Sequence, residues 1–132
     1  MLTRWKTLHT SLSRFVRTLG ADLALLELKA LRPALVRFSD SQAVVDYLTS
    51  PGGNLDDKDQ ILAALISSVQ RREHHELASA LLWLGMWPAL SAIYRRQLRW
   101  PGVHADELVS EVGEAFAVRI ERLDLDAVHR VA

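Results

Sequence analysis

At 132 residues the chain has the length of one domain, and 49% hydrophobic against 24% charged residues is a globular balance that excludes wholesale disorder. Lys and Arg equal Asp and Glu at 16 each, which argues against binding duplex DNA by bulk charge, and the absence of cysteine excludes disulfides, thiolate catalysis and Cys-ligated zinc. No apolar run reaches the roughly 18 residues a membrane span needs, so the expectation is a soluble, cytoplasmic protein.

The neutral total hides a dipole along the sequence. Before Asp22 the charges are Arg4, Lys6, Arg14 and Arg17 with no acid, a net +4; from Ala105 onward three arginines face seven acids, a net −4.

Taken in order, Trp5, Leu8, Leu12, Phe15, Val16 and Leu19 recur at three- and four-residue steps, the stripe of an amphipathic helix that Gly20 is expected to end. Basic and hydroxyl residues without acid also match the composition of a transit peptide or an interfacial anchor, and an ordinary helix is the plainer reading. The next segment, ADLALLELKAL, is nearly continuous in apolar residues and should stop near Leu31, because Pro33 disfavours helical geometry in the residue before it. Ser39 and Gln42 have capping-box spacing, predicting a short helix with Val44, Val45, Tyr47 and Leu48.

Ser50-Pro51-Gly52-Gly53 breaks that helix and divides the chain into a helical scaffold, 1–50, and the remainder, 54–132, within one packed domain. The glycines lack the lysine and preceding strand of a phosphate-binding loop. Asn54 should cap a helix that carries Asp56, Asp57 and Asp59 near its positive end and buries Ile61, Leu62, Leu65, Ile66 and Val69. His74 and His75 follow; adjacent helical residues point about 100° apart, so the pair does not converge on one metal ion.

From about Glu76 a helix apolar over most of its circumference begins, with Gly85 and Pro88 in its middle. Proline removes one backbone hydrogen bond and clashes with an earlier carbonyl, so a kink or break is expected between Leu84 and Trp87. Arg95, Arg96 and Arg99 cluster at the end of this segment, where cations complement the helix dipole and where guanidinium forks also suit phosphate or carboxylate partners. Trp100-Pro101-Gly102 turns the chain. Asp106 is the expected cap of a last long helix that buries Leu108, Val109, Val112, Phe116, Ile120 and Leu123 and exposes Glu107, Ser110, Glu111 and Glu114 as an acidic ridge. LDLDAVHRVA should start a further helix, and its apolar, uncapped end is what a chain shorter than its parent unit would show.

No segment has the two-residue period of a strand. The expected fold is all-α: one compact bundle of about six helices around a central kinked hairpin, roughly residues 81–124.

That hairpin carries a resemblance. AIYRRQLR, a short turn and ADELVSEVGEAFAVRIERLD resemble the second conserved region of bacterial RNA polymerase sigma factors, in which an arginine-rich helix precedes a D-L-V-Q-E-V-F helix. Glu107 stands at the family's aspartate, Leu108 and Val109 at its Leu-Val, Ser110 at its glutamine, Glu111 at its glutamate and Val112 at its valine, with Leu123-Asp124 at the exit. The resemblance implies that the exposed polar residues of this helix bind the clamp-helix coiled coil of the largest polymerase subunit, with Arg95, Arg96 and Arg99 beside them.

The likeness spans about a third of the chain and departs from the family pattern at specific places. Ser110 replaces a longer amide, and Gly113 stands where the family has a bulky apolar residue. The aromatic, basic strand-melting helix of the family has no counterpart between Asp124 and Ala132. DNA contact is therefore expected only in a longer chain, because base capture needs aromatic platforms over a positive groove.

The alternative from the residues alone is a helical adaptor or assembly protein using the same hairpin, or the basic N-terminal helix, against another protein. No Ser-His-Asp, HExxH or paired-carboxylate spacing involves the histidines, so no catalytic, cofactor or metal residue is assigned.

Overall fold

A computed structural model describes residues 3–126, and within them the chain is all-helical. Seven α-helices are present: α1 (Arg4–Val16), α2 (Leu19–Leu31), α3 (Ser41–Thr49), α4 (Leu55–Gln70), α5 (His75–Gly85), α6 (Trp87–Leu98) and α7 (Ala105–Arg122), with a 3-10 turn at Pro33–Leu35.

The helix count exceeds the expected six because the kinked segment is two helices. Met86 leaves helical geometry between them, and α5 and α6 meet at 65°. Pro88 lies within the first turn of α6, where its missing N–H has no intrahelical partner to lose. Proline thus begins a helix here instead of bending one.

Three boundaries differ from expectation. Gly20 does not end α1; Arg17 does, and Gly20 lies inside α2, whose N-cap Thr18 accepts from the Ala21 N–H. Asp40, not Ser39, caps α3 by accepting from the Ala43 N–H at 2.8 Å. His104, not Asp106, is the N-cap of α7; Asp106 sits in the first turn, where its charge still favours the helix dipole.

Asn54 caps α4 as expected, accepting from the Asp56 and Asp57 N–H groups. The loop before it is held from within α4. Lys58 is buried, and its ammonium donates to the carbonyls of Ser50 at 2.6 Å and Gly52 at 2.8 Å. Gly52 and Gly53 in this loop both have positive φ, a conformation that favours glycine.

α5 is the axis of the fold. It packs against α1, α2, α3 and α4, and Leu77, Ala78, Leu81, Leu82 and Leu84 on it are all nearly inaccessible. The main core gathers Leu25 and Leu28 of α2, Val44 and Leu48 of α3, and Ile61, Leu65 and Val69 of α4 around it. A second core joins α1, α6 and α7 around Trp5, Leu90, Tyr94, Leu108, Val109 and Val112, and Met86 and Phe116 border both.

Aromatic rings dominate the second core. Trp5 stacks on Trp87 at 4.3 Å and on Tyr94 at 4.6 Å, and its indole N–H donates to the Ser91 hydroxyl at 3.1 Å. This contact ties the first helix to the sixth and turns the Trp5 face of α1 inward. Arg4, Lys6, Arg14 and Arg17 stay on its exposed side.

No single helix among the described residues is long and apolar enough to cross a membrane. α5 and α6 reach that length and composition only as a bent pair, with their apolar side chains in the protein's own core. Leu123–Asp126 are not helical, and the rest of the helix expected in LDLDAVHRVA lies outside the described residues.

Candidate functional site

α7 divides cleanly by angle. At about 100° per residue, Leu108, Val109, Val112 and Ile120 fall on one side, and all four are buried. Glu107, Ser110, Glu111 and Glu114 fall on the opposite side, and all four are exposed. Val118, 40% exposed, continues the same face one turn beyond Glu114 and adds an apolar residue that periodicity alone did not single out.

The acids of this ridge are uncommitted. Among the described residues, Glu107, Glu111 and Glu114 make no ion pair within 4.0 Å, whereas Glu73, Glu27 and Glu121 elsewhere are paired with Arg32, His74 and Arg72. Glu107 also lies in the first turn of α7, so one ridge charge stabilises its own helix as well.

Arg95 and Arg96 occupy the last turn of α6 and Arg99 is its C-cap; all three are exposed and none is ion-paired among the described residues. Trp100 follows them at 68% exposure, the one tryptophan that does not enter the aromatic core. The sequence offers all four tryptophans as candidate interface anchors, with burial in the core the plainer reading for each, and Trp100 departs from that reading. Its position directly after three free guanidinium groups was the available signal, because exposed aromatic and arginine side chains are the residues interfaces use as anchors.

Between the ridge and α6 lies a groove of about 610 Å³, lined mainly by apolar side chains of α4, α5, α6 and α7, among them Ile66, Ile93 and Phe116, and by Met86 at the α5–α6 junction. Gln97, Glu111 and Arg119 are its polar lining residues. Glu111 therefore belongs to both the ridge and the groove. The groove's walls come from helices far apart in sequence, so no local sequence signal encodes it.

His74 and His75 engage different carboxylates: His74 contacts Glu27, and His75 lies 3.8 Å from Glu121. Among the described residues no group of three or more His, Asp or Glu side chains is placed to hold a metal ion.

Compared with models of known families, with curated proteins and with solved structures, the chain gives no match.

Proposed function

We propose that this chain is a cytoplasmic, sigma-factor-like transcription protein that binds RNA polymerase or a related transcription component through the acidic face of α7. One observation carries the reading. Within the stretch that resembles the sigma core-binding motif, the polar motif positions are free and exposed while the apolar motif positions are buried.

The chemistry is that of an acidic ridge meeting a basic surface. Unpaired carboxylates on a rigid helix steer a positively charged partner and fix its register. Ser110 offers a hydroxyl among them, and Arg95, Arg96 and Arg99 supply a second, positive patch for acidic groups of the same partner. The reading assigns no catalytic residue and places DNA melting in no residue of this chain.

Retention of the protein on immobilised core polymerase, lost in Glu107→Lys/Glu111→Lys, is the expected result of a pull-down. No retention, or retention indifferent to the double reversal, would refute the reading.

A helical adaptor that uses the same hairpin against a different protein is the second reading, favoured by the exposed Trp100 beside three arginines. In that case Trp100→Ala abolishes partner capture while core polymerase is ignored.

A further inference from the structure

α2 is apolar on two opposite sides, and the fold uses only one. Ala21, Leu25 and Leu28 are buried against the core. Leu19, Leu23 and Leu26 point away from it at 74%, 54% and 58% exposure, and Ala30 is exposed on the same line. Their spacing of four, three and four residues is that of a coiled-coil seam, which closes when a second helix lies along it.

The flanking charges choose the second helix and its direction. Asp22 and Lys29 lie on one flank of the seam, seven residues apart, and each is fixed in place: Asp22 accepts from the Ser41 N–H at 3.0 Å, and Lys29 donates to the Phe38 carbonyl at 2.7 Å. Gly20 and Glu27 occupy the other flank. In a parallel pair Asp22 would face Glu27 of the other copy, two like charges. In an antiparallel pair Asp22 of each copy faces Lys29 of the other, and Glu27 faces Gly20, where no side chain opposes it.

We propose that α2 is a self-association surface, pairing antiparallel with α2 of a second copy of this chain through the Leu19–Leu23–Leu26–Ala30 seam. Leu23 of each copy meets Leu26 of the other, and Leu19 meets Ala30, around a twofold axis. A 13-residue helix offers about 20 Å of contact, which buries on the order of 1,000 Å² in total, so the dimer belongs to the weak, transient class. The surface is separate from the α7 ridge and does not depend on the polymerase reading.

Sedimentation equilibrium of the full chain between about 1 and 500 µM tests the association, with Leu23→Glu/Leu26→Glu as the comparison; both residues are more than half exposed, so the fold is kept. A concentration-dependent dimer whose Kd rises at least tenfold in the double variant is the expected result. A chain that stays monomeric throughout, leaving the face to a different protein, overturns the proposal, as does a dimer unaffected by the two glutamates. Direction is read separately, and the absence of native cysteine makes the experiment clean. On oxidation of mixed Leu19→Cys and Ala30→Cys proteins, the antiparallel pair gives the 19–30 heterodisulfide. A predominant 19–19 disulfide would show parallel pairing and overturn the stated geometry.

Discussion

The Trp83 indole lies against Gly113, with two of its ring carbons 3.4 Å from where a Cβ on that glycine would stand. Gly113 is the position at which the sigma-like pattern has a bulky apolar residue. Here Trp83 of α5, packed edge-on to Phe116 at 5.1 Å, fills the space from the other side of the interface.

Size at position 113 therefore decides the outcome of substitution. Gly113→Ala makes an ordinary van der Waals contact with the indole and gains helix propensity, so urea denaturation should show unchanged or up to about 1 kcal/mol greater stability. Gly113→Leu must displace Trp83 and should cost about 1 to 3 kcal/mol with a shift in tryptophan emission.

Gly85 is the contrasting case. A Cβ there would stand 2.6 Å from Leu48 Cδ1 and 3.2 Å from its Cβ, and Leu48 is buried where α3 crosses α5. Gly85→Ala should destabilise the protein by about 1 to 3 kcal/mol through overpacking. Leu48→Ala should cost less in the Gly85→Ala background than in the parent, a coupling measurable in a double-mutant cycle.

Lys58 closes the Pro-Gly-Gly loop by satisfying two of its carbonyls. Lys58→Met keeps the stem and removes both hydrogen bonds, so a loss of roughly 2 to 3 kcal/mol is expected in chemical denaturation. Hydrogen exchange should rise first in the 50–54 loop and the first turn of α4.

Local chemistry made much of this fold legible. Asn54 before three acids announced the start of α4, Pro33 the end of α2, and Gly85 with Pro88 the break between α5 and α6. Where two capping side chains are adjacent, as at Ser39 and Asp40, the sequence does not say which will reach the N–H, and the boundary moves by a residue. The larger gaps are tertiary. α2 has apolar residues on both sides, so periodicity cannot tell the buried Leu25 from the exposed Leu23.

The same limit applies to the candidate site. The polar face of α7 was readable because Glu107, Ser110, Glu111 and Glu114 alternate with a single apolar stripe. The groove beside Glu111 was not, since its walls come from residues of α4, α5, α6 and α7 that only tertiary packing brings together.

Trp100 provides an independent check on which part of the hairpin binds. Trp100→Ala removes no core contact and should leave the melting temperature within about 2 °C of the parent, consistent with surface substitutions costing less than about 0.5 kcal/mol. If the turn belongs to the interface, the same change should weaken partner binding at least tenfold, as removal of an aromatic anchor does.

The most direct test is the affinity of core RNA polymerase for the intact chain and for Glu107→Lys/Glu111→Lys, measured at low and high salt, with Asp46→Lys at an exposed position of α3 as a charge control. Binding that falls at least tenfold in the double reversal, weakens with salt and is unchanged in the control is the result expected of the α7 ridge. Equal affinity for all three proteins, or no measurable binding by the parent, would contradict it.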